Sequence, residues 1–119
     1  MIQSVSATIT TAADGTATVY VGSKIRGRIH AIKYVPGTIV TGADLTITGN
    51  THGTPIVTLT DAGTSTVWVY PRALASKVAD GSDATDAFVD IYLEGESMKV
   101  AVAQGGATKT GTITLFFEE

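Results

Sequence analysis

The sequence has no cysteine, so neither a disulfide nor a thiolate metal site can hold the fold, and stability has to come from packing and strand pairing. Charge is also scarce. Asp, Glu, Lys and Arg make up 16% of the 119 residues, against roughly a quarter in ordinary soluble domains, which points to surface that meets other protein. No apolar run approaches the roughly eighteen residues of a membrane-spanning helix, so no membrane partner is expected. The opening Met1-Ile2-Gln3-Ser4-Val5-Ser6 lacks the basic start and continuous apolar stretch of a secretory signal, and cytoplasmic synthesis is expected. A net charge of −3 with scattered basic residues offers no long-range attraction for polyphosphate, so nucleic acid is not expected as a partner either.

What is present is β-branched. Threonine and valine recur along the whole chain, and side chains with few χ1 choices fit a pleated surface better than a helix. A hydrophobic fraction of 44% argues against disorder. About nine short strands separated by Gly, Asp, Asn or Pro predict one antiparallel all-β domain over residues 1–119, a sandwich or a barrel.

The first strand is Ile2 to Thr10, and Asp14-Gly15 predicts a tight hairpin returning over Thr16 to Val21. Lys24 to Val35 is a long strand stopped by Pro36-Gly37, read as a type II turn. Gly27 within it predicts a bulge or a close backbone approach. Leu45 to Thr48 and Ile56 to Thr60 form the next pair, Pro55 marking a strand start, and Ser65 to Tyr70 is ended by Pro71. Arg72 to Gly81 is too short for a stable helix, and residues 72–85 are read as a loop. Ala87 to Leu93, Met98 to Ala103 and Thr112 to Phe117 follow, the last two as a hairpin around Gly105-Gly106.

Alternation in that final pair places Met98, Val100, Val102, Ile113, Leu115 and Phe117 in the core. On the opposite face Phe116 is too apolar for water and is read as a subunit contact. Thr8 to Val21 and Thr58 to Val69 echo each other; two units are too few for a solenoid, so they are read as two similar hairpins.

Catalysis needs a nucleophile with a base, a carboxylate pair or a metal cluster converging in a pocket. The sequence offers no such set, and neither His30 nor His52 lies in a His-x-x-x-His or Gly-x-Ser-x-Gly setting. The chain is therefore expected not to be an enzyme and to need no cofactor or metal. Lys24, Arg26, Arg28 and His30 share a strand face at a period of two, and either grip acidic groups of a partner or form a solvated face. His52, in a Gly-flanked turn, is expected to face solvent. Asp80, Asp83, Asp86 and Asp90 carry the oxygen ligands that calcium prefers, but their spacing fits no calcium loop, and they read as a solvated acidic loop. Gly105-Gly106 with Lys109 lacks both a Walker pattern and a following helix, so it is no phosphate loop.

Trp68, Tyr70 and Arg72 alternate on one face, and these residue types concentrate binding energy in interfaces. The alternative places Trp68 in the core. The candidate partner contacts are Arg26, Arg28, His30, Trp68, Tyr70, Arg72 and Phe116.

Three segments carry a resemblance: Arg28-Ile29-His30-Ala31-Ile32-Lys33-Tyr34-Val35-Pro36, Trp68-Val69-Tyr70-Pro71-Arg72, and the stretch from Met98 to Thr112 with Gln104-Gly105-Gly106-Ala107-Thr108-Lys109 at its turn. Together they resemble small virion structural proteins of tailed phages, whose jelly-roll-like sandwiches decorate or cement capsids. The likeness covers most of the chain beyond residue 25, and its motifs are strand-and-turn patterns without a catalytic signature. It implies a jelly-roll-like antiparallel β-sandwich that self-associates, commonly as a homotrimer, and binds the outside of the major capsid protein shell on the capsid surface of a virion. No family site residue maps onto the chain. The rival readings are a tail-tip or fibre domain, a carbohydrate-binding module using Trp68, Tyr20, Tyr34 and Tyr70, and an enzyme using the aspartate-rich loop with a metal.

Overall fold

The strand-forming bias is realised as nine strands and no helix in the computed structural model, which describes residues 1–119. The strands are β1 (Ile2–Thr10), β2 (Ala17–Val35), β3 (Asp44–Gly49), β4 (Pro55–Leu59), β5 (Val67–Val69), β6 (Arg72–Ser76), β7 (Asp83–Asp90), β8 (Tyr92–Ala103) and β9 (Thr110–Glu118). All pairings are antiparallel. The main sheet runs β1-β9-β2-β8-β3-β4, with β5 also on β2, and β6 and β7 form a separate two-stranded ribbon.

β2 turns this sheet into a sandwich. Its first part, Ala17 to Arg28, pairs with β8, and its second, Arg28 to Val35, pairs with β9, while β5 flanks Ile32 to Tyr34. One layer is therefore β5-β2-β9-β1 and the other β2-β8-β3-β4. The strand bends between layers at local irregularities: the register slips between Val21 and Ile25, where Lys24 has φ 50°, and Gly27 has φ 142°. A Cβ at Gly27 would lie 2.4 Å from the Glu118 carbonyl oxygen, the close backbone approach expected there.

His30 is a bulge residue. Ile29 opposes Phe117 and Ala31 opposes Phe116, which leaves His30 without a partner on β9. The extra residue shifts the inward phase of the strand, so Ile25 and Ile29 are buried before it and Ile32 and Tyr34 after it. The inward faces meet in one cluster containing Ile9, Leu45, Ile47 and Leu93 together with all six residues expected from alternation in the closing strands. Each fully buried side chain of this size stabilises the fold by about 1.5–3 kcal/mol.

Several pairings differ from the expected ones. β8 and β9 are not a hairpin, because β2 lies between them and the chain changes layer through residues 104–109. A period of two decides which face a side chain takes but not which strand lies alongside. After the Asp14-Gly15 turn, β1 joins β9 while β2 joins β8, and β4 and β5 sit in different layers, so neither echoing segment is a hairpin. Thr16–Val21 and Lys24–Val35 merge into one bulged strand. Residues 72–85 hold β6 and the start of β7 where a loop was expected. β3 and β4 do pair as expected, β4 beginning at Pro55. At Pro36-Gly37 the Ile39 N–H donates to the Pro36 carbonyl (2.9 Å), which puts Gly37, φ 60°, at the first central position. That conformation belongs to a primed turn, not type II.

Three loops close one end of the sandwich around Thr11. Its hydroxyl donates to the Gly106 carbonyl (2.6 Å) and accepts from the Lys109 N–H (2.7 Å). Gly105 N–H donates to Gly15 O (2.9 Å), and Val40 N–H to Gly105 O (3.2 Å). The diglycine thus serves loop packing.

Tyr34 is fully buried and its hydroxyl has no hydrogen-bond partner; burial pushes its pKa upward. An unsatisfied buried hydroxyl costs about 1–3 kcal/mol. Tyr34→Phe is therefore expected to leave the thermal midpoint unchanged or raise it by several degrees in scanning calorimetry. A clear fall would show that the hydroxyl is satisfied in solution.

Candidate interaction surface

β5 points Val67 and Val69 toward the core and Trp68 outward. Trp68 opposes Lys33, and Phe116 on the other flank of β2 opposes Ala31. The small Ala31 side chain between these flanks leaves room for the two rings to meet across β2. They stack with centroids 5.3 Å apart and planes 28° from parallel, and Lys33 Nζ stands 5.4 Å from the Trp68 ring centroid. Trp68 remains 47% exposed, which corrects the core alternative. Phe116, the other ring of the stack, is half-buried. Tyr70, two residues beyond Trp68 and 60% exposed, meets His30 edge-on at 6.2 Å. The result is an outward aromatic row of Phe116, Trp68, Tyr70 and His30.

Beside the row, Asp90 draws two arginines together. Its Oδ1 lies 3.0 Å from Arg72 Nε and its Oδ2 3.8 Å from Arg28 Nη1. Arg28 Nη2 also donates to Glu118 Oε1 at 2.9 Å. That hydrogen bond, with the Arg28 charge, holds the Glu118 carboxyl below its ordinary range and raises the Arg28 guanidinium. Arg72 Nη1 donates to Pro71 O (2.6 Å) and reaches Ile29 O (3.4 Å), and Ile29 N–H donates to Ile91 O (2.8 Å). These contacts fasten the root of the β6–β7 ribbon to β2.

The basic row of β2 is thereby divided. Arg28 is engaged within the chain and His30 packs on Tyr70, whereas Lys24 and Arg26 are exposed and form no ion pair. The aspartates divide as well: Asp90 is paired, and Asp80 accepts from the Ser82 N–H (3.0 Å) and hydroxyl (2.7 Å), which lower its pKa. Asp83 and Asp86 are exposed on β7. The four-residue sugar platform is not assembled, since Tyr34 is buried and Tyr20 sits opposite Lys99 in the other layer. His52 is exposed, but its backbone N–H serves a residue that sequence reading passed over, the buried Glu96. The flanking Gly95 gave Glu96 the look of a solvated turn.

Asp90→Ala is expected to loosen the ribbon without unfolding the sandwich. Hydrogen exchange over residues 72–90 should quicken about fivefold, the equivalent of roughly 1 kcal/mol of local opening, while β8 and β9 keep their protection. Equal acceleration across the whole chain would contradict the anchoring role.

The chain is thus an antiparallel β-sandwich with an aromatic outer row and an ion-paired ribbon at its side. No protein-family model matches its sequence, and no curated protein is similar to it. A solved chain from Bacillus endospore appendages, described as a novel family of disulfide-linked pili, overlaps it with a TM-score of 0.39 at 15% identity, over 98% of this chain and 86% of that one. Disulfide linkage is closed to the present chain, which has no cysteine.

Proposed function

We propose that the protein is a structural subunit of a tailed-phage virion, a decoration protein that binds the outside of the major capsid protein shell and associates with copies of itself. The observation that carries this reading is the amount of aromatic surface left in water. Besides Trp68 and Tyr70, Phe88 is 63% and Tyr92 51% exposed, a large share for so small a chain. Aromatic side chains bordered by arginine are the groups that dominate protein interfaces. The resemblance of residues 28–36, 68–72 and 98–112 to virion proteins supports the same reading. Many copies of a modest interface would hold a shell by avidity, with no chemical step.

The test is co-sedimentation of the purified protein with mature and expanded phage heads, followed by imaging of the particle. Binding that Trp68→Ala with Tyr70→Ala weakens supports the proposal. No binding to either head form at low salt, together with absence from purified virions, overturns it. One observation favours a second reading: Trp68 on β5 and Tyr70 just beyond its end are both exposed two residues apart, about 7 Å in extended chain, a spacing able to stack a sugar chain. Glycan-array binding lost in Trp68→Ala would select it, and an array without hits would remove it.

A further inference from the structure

We propose that the β6–β7 ribbon is an assembly arm whose acidic outer half docks on the basic outer face of the β2–β8 pair in a second copy of this chain. This rests on the reading of the protein as a self-associating structural subunit and names the contact through which the copies join.

The ribbon is unfinished by itself. A lone two-stranded ribbon is at best marginally stable in water, and this one is fastened at its root by Asp90 but not along its length. Leu74 and Phe88 oppose each other on it, and both are exposed, as are the neighbouring Val89 and the tip residue Val78. Each strand pairs only with the other, so each keeps a free backbone edge. Something has to cover this element for its apolar side chains to be an asset.

Charge indicates what covers it. The outer half carries Asp80, Asp83 and Asp86 against the single Lys77, and none of the three aspartates has a cation within 4.0 Å in its own chain. The outer face of the β2–β8 pair shows the opposite balance. Lys24, Arg26 and Lys99 stand there against Glu94, which opposes Arg26 in the ladder, and none of these cations is ion-paired. Tyr20, exposed and opposite Lys99, supplies an apolar surface on the same face. Acidic and basic surfaces unpaired in one chain are complementary between two. Different patches meet in this contact, so copies joined through it form a ring, a reciprocal pair or an open filament.

The test uses the full chain in sedimentation velocity at low and high salt, with two exposed-site variants. One is Asp83→Lys with Asp86→Asn, the asparagine chosen because position 86 has φ 58°. The other is Lys24→Asp with Arg26→Glu, the aspartate chosen for the same reason at φ 50°. Matching melting curves confirm that both fold. The wild-type chain should associate, and more weakly as salt rises from about 0.05 M to about 0.5 M. Each variant alone should lose at least about tenfold in association constant, and an equimolar mixture should recover it, because the reversed charges then face each other. Wild-type association that neither variant weakens, or a mixture that fails to recover, overturns the arm while leaving the structural-subunit reading standing. A wild-type chain that is monomeric yet binds phage heads does the same. A monomer that binds no head and is absent from purified virions removes both.

Discussion

Gly27→Ala is expected to lower stability by about 3 kcal/mol or more, a large fraction of the total for a domain of this size. At φ 142° an L side chain is strained from the outset. The new Cβ would also lie 2.4 Å from Glu118 O and 2.9 Å from both Glu118 C and Glu119 Cα. All of these are backbone atoms, so no rotamer change relieves the overlap, and the end of β9 would have to leave β2 where Arg28 pairs with Glu118. Gly53→Ala and Gly81→Ala provide the comparison. Both glycines have positive φ, but a Cβ at either meets nothing within 4 Å, so each substitution should cost only about 1 kcal/mol. Denaturant midpoints compare the three, and a Gly27 variant no worse than the others would refute the close approach.

Glu96→Ala is expected to cost about 3 kcal/mol and to change how stability depends on pH. Glu96 is buried, and its Oε1 accepts the Thr51 and His52 N–H groups at 2.8 and 3.1 Å, while Oε2 takes that of Glu94 at 3.4 Å. Burial by itself raises the carboxyl pKa, but the three N–H donors and the His52 charge outweigh it, leaving the group below its ordinary value of 4.5. A carboxyl depressed by folding binds fewer protons in the native state than in the unfolded one. Its stabilisation is therefore complete above about pH 4.5 and is lost as pH falls through the lowered value. The gap between wild type and Glu96→Ala should be widest near about pH 7 and shrink toward about pH 3. Glu96→Gln, which keeps an acceptor oxygen, should lose about half as much as the alanine variant. A gap that stays constant across this range would mean that the charge of Glu96 contributes nothing.

Strand positions were legible in the sequence because β-branched alternation and turn residues act locally, so β1 matches its expected bounds and the closing strands bury the six residues named for them. Neighbour choice was legible only for β3 and β4. Elsewhere it depends on β2 being long enough to serve both layers, and no local pattern announces that. The start of β7 was missed because Asp83-Ala84-Thr85-Asp86-Ala87 shows little apolar alternation, and its partner β6 was missed with it. A signal was present all the same: Asp80-Gly81-Ser82 repeats the chemistry of Asp14-Gly15-Thr16, with the same aspartate-to-hydroxyl and aspartate-to-amide bonds. The Asp80 turn joins the paired strands β6 and β7, whereas the Asp14 turn joins β1 and β2, which do not pair. At the candidate surface, residue type together with strand alternation marked Trp68, Tyr70 and Phe116. The capture of Arg28 and Arg72 by Asp90 could not be read, since it arises only when β2, β6 and β7 converge.

The register that pairs Ile2 with Glu118 and Thr10 with Thr110 also sets the order in which the molecule can form. β1 leaves the ribosome first among the nine strands, yet its hydrogen-bonding partner is the ninth. Until β9 emerges, the backbone edge of β1 has no native strand to pair with, and the layer containing it cannot close. Such distant pairing puts the fold among slow, millisecond-to-second folders and exposes a β-rich intermediate during synthesis. Low temperature during expression should accordingly raise the soluble yield.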